Sequence, residues 1–333
     1  MAYTTIDNPE LYFQVRAYTG TGSSHAVTLD GSEDMQPDFI WGKRRNSSAA
    51  HELYDSVRGT TKYLVTSSTA AEDTNVNGIS AFSSDGFTVA GNSSINATSA
   101  PIVAWCWKET ATAGFDIVTY TGNSTSGRTE AHSLSAVPHM MIVKIRNDTN
   151  NWLVYHHEVA ASSPETYWSQ LNTTAASGTS GGTGIWNDTA PTSSVFTLGN
   201  SGTVNEGYNY VAYLWTGKQG YSKFGSYNGN GETDGIFVYT GFRPAMVLLK
   251  STTSTNGWEM RDNKRPGYNL STGTLAPNSS DAESTGEGID ILSNGFKCRA
   301  SGNGQNGSGN RYMYMAFAEA PFVNSNGVPC NAR

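Results

Sequence analysis

Three short stretches of nearly the same shape constrain this chain most: PDFIWGK at 37–43, PHMMIVK at 138–144 and PAMVLLK at 244–250. In each, a proline opens the run, apolar residues fill its middle, and a lysine stands six positions after the proline. One occurrence would be noise; three indicate a unit that was copied. The surroundings repeat too. Upstream of each proline lies a tyrosine turn, YTGTG from Tyr18, YTGNS from Tyr120 and YNGNG from Tyr227. Fourteen residues after each proline stand His51, Trp152 and Trp258, and four positions later Asp55, His156 and Asp262. Each copy then closes on an alternating segment: VAWCW at 103, VAYLW at 211 and MAFAE at 315. The period is far longer than the 20 to 50 residues of a solenoid repeat and suits a small domain.

The proline-led runs are apolar without alternation, the pattern of a strand covered on both faces. Proline is tolerated at a strand's first position, where it need not donate to the ladder. The lysine is expected to carry its ammonium out to water, which would end the burial. The closing segments alternate instead. Val103, Trp105 and Trp107 share one face, as do Val211, Tyr213 and Trp215, and these large residues should fill a core. Ala104, Ala212 and Ala316 face the other way and would let a second layer or a neighbouring chain approach. SSDGFTV at 83 and SNGFKC at 293 add Asp-Gly and Asn-Gly hairpin signals. The reading is an all-β chain of three tandem homologous antiparallel β-sandwich-like units, 1–110, 111–218 and 219–333.

Composition supports strands joined by polar turns. Only 15% of the residues are charged, 36 are glycine, and 17 tyrosines with 8 tryptophans supply large apolar side chains. The net charge of −7 and the lack of a basic run longer than KRR at 43–45 argue against a nucleic-acid binder, which needs a basic surface for phosphates. Cys106, Cys298 and Cys330 are odd in number and lack metal-like spacing, so neither a disulfide framework nor a zinc site is expected. The N-terminal MAYTTIDNPELYFQV lacks the features of a secretory signal, and no apolar stretch is long enough to span a bilayer.

Candidate chemistry is sparse. HELYD at 51–55 resembles a zinc-protease motif only superficially, because Asp55 stands where the second histidine is needed. Glu52, Asp55, Glu259 and Asp262 are the carboxylates to consider for glycoside hydrolysis, although a solvated strand edge accounts for them. His156 and His157 are adjacent, so a strand would point them to opposite faces and away from a shared metal. GNGQNGSGN from 302 lacks the lysine and helix of a phosphate loop and reads as a flexible turn tip. No catalytic, cofactor-binding or metal-binding residue is assigned. Tyr18, Tyr120, Tyr227 and Trp186 are candidate ligand or interface contacts, although the recurrence of the tyrosine in every copy favours capping of each unit's core.

LYDSVRGTTKYL (53–64), APTSSVFTLG (190–199), FGSYNGNGETDGIFVYTGFRPA (224–245) and YMYMAFAEAPFV (312–323) resemble a family of tailed-bacteriophage virion proteins, common in marine phages and described as tail-fibre-like or structural. The resemblance implies a non-enzymatic, β-rich virion surface component, made in the bacterial cytoplasm. It would be a tail appendage or a capsid decoration. Its partners would be other virion proteins, copies of itself (a trimer among the options) and a host-surface glycan, without nucleic acid or membrane insertion. The competing readings are a polysaccharide-degrading tailspike-like enzyme and a stand-alone carbohydrate-binding module.

Overall fold

The structure, a computed structural model, describes residues 2–179, 184–265 and 268–330. One strand order recurs three times in it. An opening strand pairs with a closing strand, which pairs with the proline-led strand, which pairs with a fourth, all antiparallel. The opening strands are Phe13–Thr19, Phe115–Thr121 and Ser222–Asn228, and the closing strands are Pro101–Trp107, Asn209–Trp215 and Arg311–Pro321. The proline-led strands are Phe39–Arg44, Met140–Ile145 and Phe242–Ser251, followed by Glu52–Asp55, Leu153–His156 and Glu259–Asp262. Each such sheet carries a smaller one on one face: His25–Thr28 with Gly86–Val89 and Ile79–Ser83, then Arg128–Ala131 with Val195–Leu198. In the third segment it is Phe237–Tyr239 with Gly295–Cys298, Ser284–Leu292 and Ser271–Thr274.

The proline-led strands are buried on both sides, as their unbroken apolar runs require. Ile40, Met141 and Val247 face the smaller sheet of their own segment. Phe39, Trp41, Met140, Ile142, Met246 and Leu248 face a single central core to which all three segments contribute. There Phe39 meets Tyr213 at 4.6 Å between ring centroids, Phe13 meets Phe317 at 4.9 Å, and Trp107 touches both Trp215 and Phe317. The segments are therefore not self-contained domains. Each large-residue face is covered by the other two segments.

Register corrects the third closing segment. Trp41 lies opposite Trp105, Ile142 opposite Tyr213 and Leu248 opposite Met315. The counterpart of VAWCW is thus Met313–Phe317, two residues before the segment read from the sequence, and Tyr314 takes the place of Ala104 and Ala212. The repeat of Met-Tyr-Met-Ala-Phe-Ala offers two frames of similar pattern, and only the pairing partner separates them. The small-residue face turns to each segment's own second sheet. Pro244 also departs from strand-start placement. It sits inside a longer strand, at a bulge where the missing N–H costs no ladder bond.

The two hairpin signals fall on real hairpins, but the turn residues are Ser84–Asp85 and Ser293–Asn294, and the glycine begins the return strand. Gly86 and Gly295 are required there by close approach, since a Cβ would lie 2.1 Å from the carbonyl oxygens of Val27 and Val238.

Candidate functional site

The recurrent tyrosines serve the fold. Tyr18, Tyr120 and Tyr227 donate their hydroxyls to the carbonyls of Ile95, Val204 and Gln305 at 2.6, 2.7 and 2.6 Å. The next residue in each case is a fully buried asparagine, Asn96, Asn205 or Asn306. Its amide Nδ2 donates to loop carbonyls while its Oδ1 accepts a backbone N–H from the tyrosine turn, from Thr21, Asn123 and Asn230 respectively. Trp186 is 1% exposed and donates its indole N–H to Tyr167. The three tyrosines thus take the capping use that their recurrence favours, and Trp186 is an internal side chain, because their polar tips are engaged and their rings are packed. The asparagines were missed in the sequence, where asparagine is too common to stand out. The glycine-rich 302–310 loop is no free tip either: Gln305 and Asn306 are buried.

The three lysines also reverse expectation. Lys43, Lys144 and Lys250 are fully buried. Each ammonium donates to a carbonyl in its own segment and to one in the neighbouring segment: Arg44 and Ser280, Ile145 and Thr69, Asn256 and Thr174. Burial pulls each down to about 8. The lysine closes the strand end by binding the adjacent segment's loop, not by reaching water.

The joints between segments repeat the same positions with different chemistry. Between the first and second, Asp55 accepts from Arg58 Nε at 2.5 Å and from Tyr213 Oη at 2.7 Å, and Glu72 accepts from Arg58 and Arg146 at 3.0 Å. Between the third and first, Asp262 accepts from Arg265 Nε at 2.6 Å and Trp105 Nε1 at 3.1 Å, and Glu283 accepts from Arg265 and Arg45. The solvated-edge reading of these carboxylates is corrected. Asp55 and Asp262 have no exposed surface, and Glu52 is bound by Tyr54 and Asn92. Glu259 is held by Arg261. The second–third joint carries His156, Val159, Ser177, Thr252 and Met315 at the corresponding places and, among the described residues, has no such ion-pair chain. His156 is buried, with Nε2 3.1 Å from the Tyr314 carbonyl, and burial beside His157 pushes it down to about 3.

That same joint opens into a cleft of about 440 Å³, lined by Tyr3, His139, His157, Glu158, Lys223 and Tyr239 among others. The corresponding position at the third–first joint holds only about 60 Å³, against Gln14, Ala245, Asn263 and Lys264. At the first–second joint the same place is occupied by polar bonds: Ser56 to Asp38, the Glu109 N–H to Asp38, and the Ile117 N–H to Glu109. Glu109 is raised to about 7 by burial and by its acidic neighbours Asp116 and Asp38.

In the open cleft the His139 and His157 rings stack at 4.2 Å. His139 Nδ1 accepts from the Gly217 N–H at 2.9 Å, which places its proton on Nε2; burial and His157 push it down to about 4. His157 Nε2 donates to the Phe224 carbonyl at 3.0 Å, and its Nδ1 has no hydrogen-bond partner among the described residues. Glu158 accepts from Ser226 at 2.8 Å. Lys223 donates to the Tyr239 carbonyl at 2.7 Å, and Tyr3 donates to the Gly241 carbonyl at 2.8 Å while lying 3.2 Å from the Tyr239 hydroxyl. In the sequence His157 stands out only as half of an adjacent pair. The usable signal was divergence at an aligned position, where His139 stands against Asp38 and Ala245. Among the described residues no group of three His, Cys, Asp or Glu is placed to hold a metal ion, and no helix is long and apolar enough to cross a membrane.

No curated protein and no solved structure matches the chain. One family model does, over residues 8–321, and so runs through all three segments. By that match the chain belongs to the DUF7483 family, a domain of unknown function.

Proposed function

We propose that the protein is a non-enzymatic structural component of a tailed-bacteriophage virion surface, assembled with other virion proteins and with copies of itself, and used in attachment to the host. The observation that carries this reading is where the resembling motifs fall. LYDSVRGTTKYL holds Asp55 and Arg58 of a buried joint, FGSYNGNGETDGIFVYTGFRPA holds an opening strand and its tyrosine cap, and YMYMAFAEAPFV is a closing strand in the central core. The residues that carry the resemblance are thus framework residues of this chain. The carboxylates that could serve hydrolysis are committed to that framework: Asp55, Asp262 and Glu259 by arginines and an indole, and Glu52 by Tyr54 and Asn92.

Immunogold electron microscopy of intact particles, with antibody raised against this chain, tests the reading. Label on the tail or head is the expected result and also fixes the position. Structurally complete particles without label would refute it. Release of sugar ends from capsular polysaccharide by the purified chain would replace it with the enzymatic reading.

A further inference from the structure

We propose that the cleft between the second and third segments is a binding site for a neutral saccharide, one or two sugar rings of a glycan. As an account of host attachment this rests on the virion reading above. The architecture does not require the cleft, because the equivalent places at the other two joints are filled or nearly closed. Its opening follows from the residues that differ there.

Those residues present the mixture that hydroxyl groups need, since each sugar hydroxyl both donates and accepts. His139 offers Nε2–H as a donor, and Lys223 retains ammonium protons beyond the one on Tyr239. Acceptors are the bare His157 Nδ1, the Tyr239 hydroxyl oxygen, and Glu158 Oε1, which has no protein donor among the described residues. Tyr239, 47% exposed, and buried Phe224 add apolar wall for the C–H face of a ring. Charge selects the class. One carboxylate, Glu158, and one ammonium, Lys223, balance, and His139 accepts the Gly217 N–H on Nδ1, so neither an anionic nor a cationic ligand is favoured. The volume lies within the range of about 300–1,000 Å³ typical of small-ligand sites.

The test is saturation-transfer NMR on the full chain with maltose, lactose, cellobiose, diacetylchitobiose and α-1,6-mannobiose, and with digalacturonate as the charged comparison. Transfer to at least one neutral disaccharide is expected. Tyr239→Ala should abolish it, and Glu158→Gln should weaken affinity about tenfold, the value of one hydrogen bond to a charged group. Lys264→Ala, at the Glu158 position of the smaller cleft, should leave binding unchanged and controls for folding. No transfer at millimolar sugar, transfer that survives Tyr239→Ala, or transfer to digalacturonate alone would overturn the proposal. The two readings fail separately. Unlabelled particles with intact transfer would remove the virion role and keep the site, and labelled particles without transfer would do the reverse.

Discussion

Replacing Asp55 by asparagine should cost about 3 kcal/mol of stability, the low end of the roughly 3–5 kcal/mol for breaking a buried ion pair. At this joint two carboxylates, Asp55 and Glu72, face two guanidinium groups, Arg58 and Arg146. Asparagine keeps the shape, and its one carbonyl oxygen can still accept from the Arg58 backbone N–H, which lies 2.7 Å from Asp55 Oδ1, while its amide group stands where Oδ2 accepted from Arg58 Nε and the Tyr213 hydroxyl. It removes the charge opposite a guanidinium with no exposed surface, so the joint changes from balanced to one net positive charge. Arg58 retains Glu72, which is why the lower bound applies. Urea unfolding followed by tryptophan fluorescence is the assay, since guanidinium salt would screen the pairs under study. A single transition of unchanged slope is expected, because Trp41, Trp105, Trp107, Trp152, Trp215 and Trp258 sit in one shared core. The double mutant with Tyr213→Phe should show a coupling of about 0.5–3 kcal/mol across the joint. A loss below about 1 kcal/mol, the value of a surface pair, would refute the claim that this network is desolvated. A second transition would refute the shared core.

Acid should destabilise the second–third joint: His156 titrates near 3 when folded but near 6.5 when unfolded, so the unfolded chain binds more protons in that interval and stability falls as pH drops through it. The slope owed to this group is about 1.4 kcal/mol per pH unit, and His156→Gln should remove it from urea titrations run between pH 6.5 and 4. The buried lysines act in the alkaline range: with folded values of about 8 against 10.5 unfolded, the folded state sheds protons first and stability should rise from pH 8 to 10. Lys144→Met should reduce that rise by about a third, and an unchanged profile would show that the lysines reach water. Trp107→Ala should destabilise by about 3–5 kcal/mol, as a large truncation at a site packed by two other segments, measured by the same unfolding assay.

Local chemistry in the chain determined its strands, because apolar runs, alternating runs and turn residues each report the solvent exposure of a short segment. The three-fold repeat made the recurrence of one unit legible and the Tyr-x-Gly turns marked where each opening strand ends, while the pairing order of the strands came only with the structure. What lay outside sequence reach was every feature decided by partners distant along the chain. Lys43, Lys144 and Lys250 read as surface residues until another segment's carbonyl is brought to each ammonium. Asp55 and Asp262 read as a solvated edge until arginines three positions on turn back to cover them, with Tyr213 and Trp105 completing the shell from other segments. The third closing strand admits two frames on pattern alone, and pairing with Leu248 selects one. The cleft is the same case at larger scale. Its residues come from the N-terminus, the second segment and the third, and their placement depends on how three sheets close around one core, which no local pattern encodes.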